Sequence, residues 1–207
     1  MLDNAHLPTY MDTSVLIQTF LAVFVLADPL GNAPIVVVLT KGMDFEKKNE
    51  VVDRATLVAT LVLLGFAFAG ESVLRYLHIS IASLQVAGGL LLLLVALDML
   101  QGELDTYAVD QERDIAITPL ALPLLAGPGT LTTVTLLMAD QPAARFSVVV
   151  GIVAAMLVTW IIVRQAGRIE KLIGQTGAII AAKLLGFILA ALAVEIGSEG
   201  IRELFFR

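Results

Sequence analysis

The stretch FVLADPLGNAPIVVVLT, residues 24–40, sets an aspartate, two prolines, a glycine and an asparagine in the middle of an apolar run. The apolar segments on either side are each too short to cross a bilayer. Together they are long enough, since a span takes roughly 20 residues. A helix in lipid must satisfy its backbone N–H and C=O groups internally, and proline removes a donor and clashes with the preceding turn. The stretch therefore reads as a membrane helix interrupted near its centre, at Asp28, Pro29, Leu30, Gly31 and Asn32. A second run has the same design: IAITPLALPLLAGPGTLTTVTLLMA, residues 115–139, with its interruption at Ala126, Gly127, Pro128, Gly129 and Thr130.

Composition agrees with a membrane setting. The 207 residues are 58% hydrophobic and 15% charged, with a mean hydropathy of +0.90. A soluble domain of this size could not hide so much apolar surface. Runs of span length lie at about 14–40, 54–70, 79–99, 115–138, 145–164 and 178–196, and the connectors between them are short. The expected fold is an all-α integral membrane protein with six transmembrane helices in a single domain, residues 1–207. The start of the chain lacks Lys and Arg, so it does not read as a signal peptide. The absence of cysteine excludes disulfides and thiolate metal sites, and a net charge of −6 argues against nucleic acid as a partner. His6 and His78 stand alone outside the spans, so no metal or cofactor is expected. No nucleophile–base set or phosphate-binding loop lies within the spans, and an enzyme is not expected.

Lys and Arg in the connectors give an orientation. Lys41, Lys47, Lys48, Arg54, Arg113, Arg164, Arg168 and Lys171 fall on one side; Arg75, Arg145, Arg202 and Arg207 fall on the other. The positive-inside rule then puts both termini on the non-cytoplasmic side of the cell's inner (plasma) membrane.

Sliding the sequence by 98 residues pairs Gly31 with Gly129, Gly88 with Gly186 and Gly102 with Gly200, without a gap. Both interruptions fall in this register. Residues 1–103 and 104–207 then form two units of three spans, and an odd number per unit makes the repeats inverted. Such repeats recur in secondary transporters, whose sites lie near the midplane where discontinuous helices meet.

Each interruption is followed by a restarting helix, whose unpaired N–H groups and positive dipole end suit an anion. Asn32 and Thr130 are expected to cap the two restarts. A carboxylate at the depth of Asp28 costs at least about 2.5–3.5 kcal/mol, so Asp28 should have a partner or a function. It fits three roles: holding an ammonium group, carrying a proton, or merely capping the second half-helix. The candidate binding residues are Asp28, Gly31, Asn32 and Ala33 from the first interruption, with Gly127, Gly129, Thr130 and Thr133 from the second. Asp28 is the candidate for proton coupling. Gly88, Gly89 and Gly186 read as close helix contacts, Lys183 as a snorkelling cation, and Glu195 as solvated at the outer end of the last span.

The motifs DPLGNAPI (28–35) and PLALPLLAGPGTLTT (119–133) resemble those of the MarC family of six-span membrane proteins. AGES (69–72), AGGLLLLLVALDML (87–100) and KLLGFILAALAVEIGSEGI (183–201) extend the likeness in order over almost the whole chain. The resemblance implies a proton-coupled secondary transporter of small neutral amino acids of the glycine and alanine class, related more widely to lysine and threonine exporters. Its partners would be the substrate, a proton and the bilayer, and sodium in place of the proton stays open. Two departures stand out: Lys183 where the family often has arginine, and Glu195 where it often has glutamine. Two further readings remain beside transport of amino acids. One is efflux of drugs or other metabolites through the same cavity; the other is a non-transporting membrane scaffold or regulator.

Overall fold

The computed structural model describes residues 11–102 and 114–205, and every element in them is helical. In chain order these are α1 (Thr13–Ala27), α2 (Pro29–Leu39), α3 (Phe45–Tyr76), α4 (Ile81–Gln101), α5 (Ala116–Leu125), α6 (Pro128–Asp140), α7 (Arg145–Val163) and α8 (Ala166–Phe205). Among the described residues five stretches are long and apolar enough to cross a membrane, and there are six if α5 and α6, bent by 58°, count as one. His6, Arg113, Arg207 and the expected division at 103/104 lie outside the described residues.

Helix starts follow local chemistry. Asp12 caps α1 by accepting from the Ser14 and Val15 N–H groups, Asp44 caps α3 through the Lys47 N–H, and Ser80 caps α4 through the Ser83 N–H. The Asp44 cap corrects the expected loop at 41–54. The chain is already helical from Phe45, so Lys47, Lys48 and Arg54 ride on polar first turns of α3. At the other extreme, Gly174 (φ 68°) breaks α8 soon after it starts, before the apolar stretch Thr176–Phe205.

Packing inverts the usual arrangement of a soluble domain. Large apolar side chains such as Leu57, Leu61, Leu90, Leu94, Phe187 and Ile188 face outward, as lipid-facing positions should. The interior is filled largely by small and branched residues of α1, α2, α5, α6 and α7, among them Ala27, Val36, Leu120, Val134 and Ile152.

Small residues set the helix contacts. A Cβ on Gly89 would lie 2.7 Å from the Ala193 carbonyl oxygen, one on Gly200 would lie 2.6 Å from that of Ala82, and one on Gly186 would lie 2.9 Å from Met99 Cβ. These three contacts run α4 and α8 antiparallel along their lengths. Gly151 admits Thr19 and binds α7 to α1, which run parallel: the Asp12 N–H donates to Ser147 Oγ (2.8 Å) where both helices begin. Gly70 likewise admits Thr135, whose hydroxyl also reaches the Phe66 carbonyl (3.3 Å), and this joins α6 to α3.

One end of the bundle carries the polar links. Asp53 of α3 accepts from Trp160 Nε1 (2.6 Å) and Arg164 Nη1 (2.9 Å) of α7, and the Arg164 guanidinium lies 4.9 Å from the Trp160 ring centre. The next residue, Arg54, pairs with Asp114 at 2.7 Å. The connection after α2, which carries Lys41, and the turn after α7, which carries Arg164, meet at this same end, where Phe45 packs beside Gly167. At the opposite end Glu71 and Arg75 pair within α3.

Candidate functional site

The first interruption is a single residue wide. Asp28 has φ 38° and ψ 63°, a left-handed conformation that Asp and Asn tolerate better than other side chains. Its N–H still donates to the Val25 carbonyl (3.2 Å), and its own carbonyl accepts the Asn32 N–H (2.9 Å). The carboxylate folds forward onto α2, with Oδ1 3.0 Å from the Gly31 nitrogen. Asn32 is buried and turns back, its Nδ2 donating to the Ala27 carbonyl at 2.8 Å. The cap is therefore Asp28, one of the three roles its position suggested, and the cap expected at Asn32 is corrected. Pro29 occupies the first helical position, where its missing N–H costs nothing. Asn32 instead occupies the carbonyl left over where α1 ends.

The second interruption is longer than the motif at 126–130. Thr118 (φ −131°, ψ 122°) and Leu122 (φ −129°, ψ 124°) are extended, each before a proline in a cis peptide bond, and α5 is a wide, irregular coil throughout. The cause is steric: proline pushes the residue before it out of the helical region. A regular helix resumes only at Pro128, again a proline at the first helical position. The expected cap at Thr130 is likewise corrected: the capping position is Gly127, which has no side chain to offer, and α6 has no side-chain cap.

The two restarts therefore differ chemically. At α2 the Gly31 N–H is occupied by a carboxylate, so the helix brings its own anion. At α6 the Leu131 N–H bonds to the Gly127 carbonyl (2.9 Å), while the N–H groups of Gly129 and Thr130 have no acceptor among the described residues. Negative charge stands at one helix start and free donors at the other.

Both starts border one cavity of about 220 Å³. Asp28, Gly31 and Asn32 reach it from the first interruption, and Gly127, Gly129 and Thr130 from the second. Ala33 and Thr133 are not among its lining residues. Ala33 is fully buried off the face formed by 28, 31, 32 and 35, and Thr133 sits half-buried one turn further along α6. Asp28 is exposed at the cavity's edge, whereas Asn32 and Thr130 are buried. The opposite wall is apolar: Leu92 of α4 with Leu185, Leu189, Leu192 and Ile196 of α8. Sequence reasoning missed this wall. Its spacing on α8 is a helical stripe, but a stripe carries no signal in a helix that is apolar all round.

The other singled-out residues lie apart from the cavity lining. Lys183 and Glu195 are both exposed on α8, and the Glu195 carbonyl accepts the Ser198 hydroxyl (2.9 Å). No group of His, Asp and Glu among the described residues is arranged to hold a metal ion.

An all-helical bundle with five or six apolar spans defines an integral membrane protein. The chain belongs to the MarC family: it matches the family described as MarC family integral membrane protein over residues 13–205. It is 33% identical over 204 residues to a UPF0056 membrane protein of Methanocaldococcus jannaschii, covering 93% of this chain and 98% of that one. It is 31% identical to the UPF0056 inner membrane protein YhgN of Escherichia coli K12, covering 90% and 96%. The UPF0056 membrane protein YvbG of Bacillus subtilis is 29% identical, with 93% and 96% covered. No solved structure matches the chain.

Proposed function

We propose that this protein is a secondary transporter of small neutral amino acids of the glycine and alanine class, coupled to protons. The observation that carries the reading is the chemical inequality of the two helix starts around one cavity. An amino acid at neutral pH carries a carboxylate and an ammonium a few ångströms apart. Its carboxylate suits the unpaired Gly129 and Thr130 N–H groups, where the positive end of the α6 dipole adds to the attraction. Its ammonium suits the Asp28 carboxylate across the cavity. The apolar wall from α4 and α8 then faces the substrate's hydrogen or methyl side chain.

The packing supports an inverted repeat as the frame for this site, with residues 1–103 and 104–207 as its two units. α1 packs on α7 as α5 packs on α3, α2 packs on α8 as α6 packs on α4, and the last spans of each unit, α4 and α8, pair with one another. Exchanging the two units carries these contacts onto one another, as a pseudo-two-fold axis in the membrane plane would, whereas the α4–α5 and α6–α7 contacts have no counterpart of similar extent. The volume weighs against export of bulky drugs, because about 220 Å³ is below the roughly 300–1,000 Å³ of drug-sized sites.

The test is uptake of labelled alanine by the purified protein in proteoliposomes under an imposed proton gradient. Accumulation above the equilibrium level, abolished by a protonophore, is the expected result. Accumulation that needs a sodium gradient instead overturns the proton coupling, and the absence of both uptake and exchange under either gradient overturns the transport reading.

A further inference from the structure

Three glycines border the cavity, and two of them are explained by the chain itself. A Cβ on Gly31 would lie 2.1 Å from Asp28 Oδ2 and expel the carboxylate that caps α2. A Cβ on Gly127 would lie 2.6 Å from the Pro123 carbonyl oxygen, where backbone cannot give way. Gly129 differs. Its backbone does not take a positive φ, and it sits in the first turn of α6, where alanine is the better helix former. A Cβ there would meet nothing closer than Leu26 Cδ2 at 3.6 Å and Ile196 Cδ1 at 4.0 Å, both ordinary contacts. Neither local conformation nor packing asks for glycine at 129. What a side chain would remove is cavity space, beside one of the two unpaired N–H groups of the site.

We infer that Gly129 sets the size of the molecule that the cavity admits. The inference rests on the amino-acid reading of the site and deepens it. With the substrate carboxylate on the Gly129 and Thr130 N–H groups, the substrate's α-carbon and side chain come against the bare Cα of Gly129, between Leu26 and Ile196. A methyl group at 129 and a methyl group on the substrate compete for the same space. In an apolar pocket one methylene changes discrimination by about 10–200-fold.

The experiment compares wild type with Gly129→Ala in proteoliposomes, using labelled glycine and alanine, with valine as competitor. The expected result is that the ratio of alanine to glycine kcat/KM falls at least tenfold in the variant, while its melting temperature in detergent is at or above that of wild type. An unchanged ratio in a folded variant overturns the inference. So does loss of both substrates by a folded variant, because a methyl that blocks everything is not a sieve. A second variant keeps the inference testable if wild type transports neither amino acid or Gly129→Ala does not fold. The chain has no cysteine, so Gly129→Cys carries the sole thiol. It is expected to react with a small charged methanethiosulfonate reagent and to resist a bulky maleimide. No reaction with the small reagent, or equal reaction with both, overturns the placement of residue 129 at a size-limited cavity wall. Failure of wild-type uptake with size-selective labelling at 129 removes the transport reading and leaves the size-limiting wall standing.

Discussion

Asp28 is a helix cap that also borders the cavity, and a sequence cannot separate the two. Its carboxylate closes the first turn of α2 through the Gly31 N–H, and it is the only charged side chain among the described residues that line the cavity. Asp28→Asn keeps an oxygen for the cap, and Asn tolerates the left-handed conformation equally well. The expected outcome is a melting temperature close to wild type together with at least a tenfold loss of uptake driven by a pH gradient. Exchange of substrate down its own gradient should persist in part. Asp28→Ala removes the cap as well, at a cost of about 1 kcal/mol, and should melt measurably lower. If Asp28→Asn accumulates alanine as wild type does, Asp28 is a cap and nothing more. The interruption at 28–32 was legible because aspartate and proline at mid-span have few explanations. The cap at Asp28 was legible as one of its three roles, but the caps expected at Asn32 and Thr130 were misplaced, because Pro29 and Pro128 take the first helical positions. That shifts each cap upstream, to Asp28 and Gly127. It also puts the two restarts one residue off the register that pairs Gly31 with Gly129.

At the scale of elements, the glycines of this chain divide into those that bring helices together and those that do not. A Cβ on Gly88 of α4 would lie 2.1 Å from Pro128 Cβ and 2.5 Å from its Cγ, and the pyrrolidine ring has no rotamer with which to retreat. Gly88→Ala must therefore separate α4 from the start of α6. A loss of about 1–3 kcal/mol is the expected scale for overpacking. Gly65 of α3 is the internal control: it is exposed and a Cβ there meets nothing within 4 Å. Gly65→Ala should be neutral or stabilising by up to about 1 kcal/mol. Thermal unfolding of the two variants in the same detergent distinguishes them, and equal melting temperatures would show that the α4–α6 contact is not close. The close role of Gly88 could be inferred from its place in an apolar run, but its partner Pro128 could not. The irregularity of α5 was within reach: Pro119 and Pro123, four residues apart, displace Thr118 and Leu122 from helical geometry. The extent of α3 was not, because its first turns are polar and were counted as loop.

At the scale of the whole molecule the topology turns on parity: whether α5 and α6 cross the membrane together or bend back within it. Two contacts with α3 argue for crossing. Asp114, just before α5, pairs with Arg54, whereas Thr135 of α6 lies against Phe66 and Gly70. Positions 54 and 70 of α3 are about 24 Å apart at 1.5 Å per residue, most of a hydrocarbon core of about 30 Å. The chain from 114 to 135 therefore traverses nearly the whole thickness that α3 traverses, despite its bend. Six crossings put the two termini on one side, and the Lys/Arg-rich end, where Asp53 holds Trp160 and Arg164, on the other. Because the chain lacks cysteine, Met11→Cys, Lys47→Cys and Glu199→Cys each report one position without background. A membrane-impermeant maleimide should label Met11→Cys and Glu199→Cys in intact cells, and Lys47→Cys only in inverted vesicles. If both terminal variants label only in inverted vesicles, six crossings stand but the orientation taken from the loop charges falls. If Met11→Cys and Glu199→Cys label from opposite sides, α5 and α6 re-enter rather than cross. The two halves then no longer hold three spans each, and the inverted repeat falls with them.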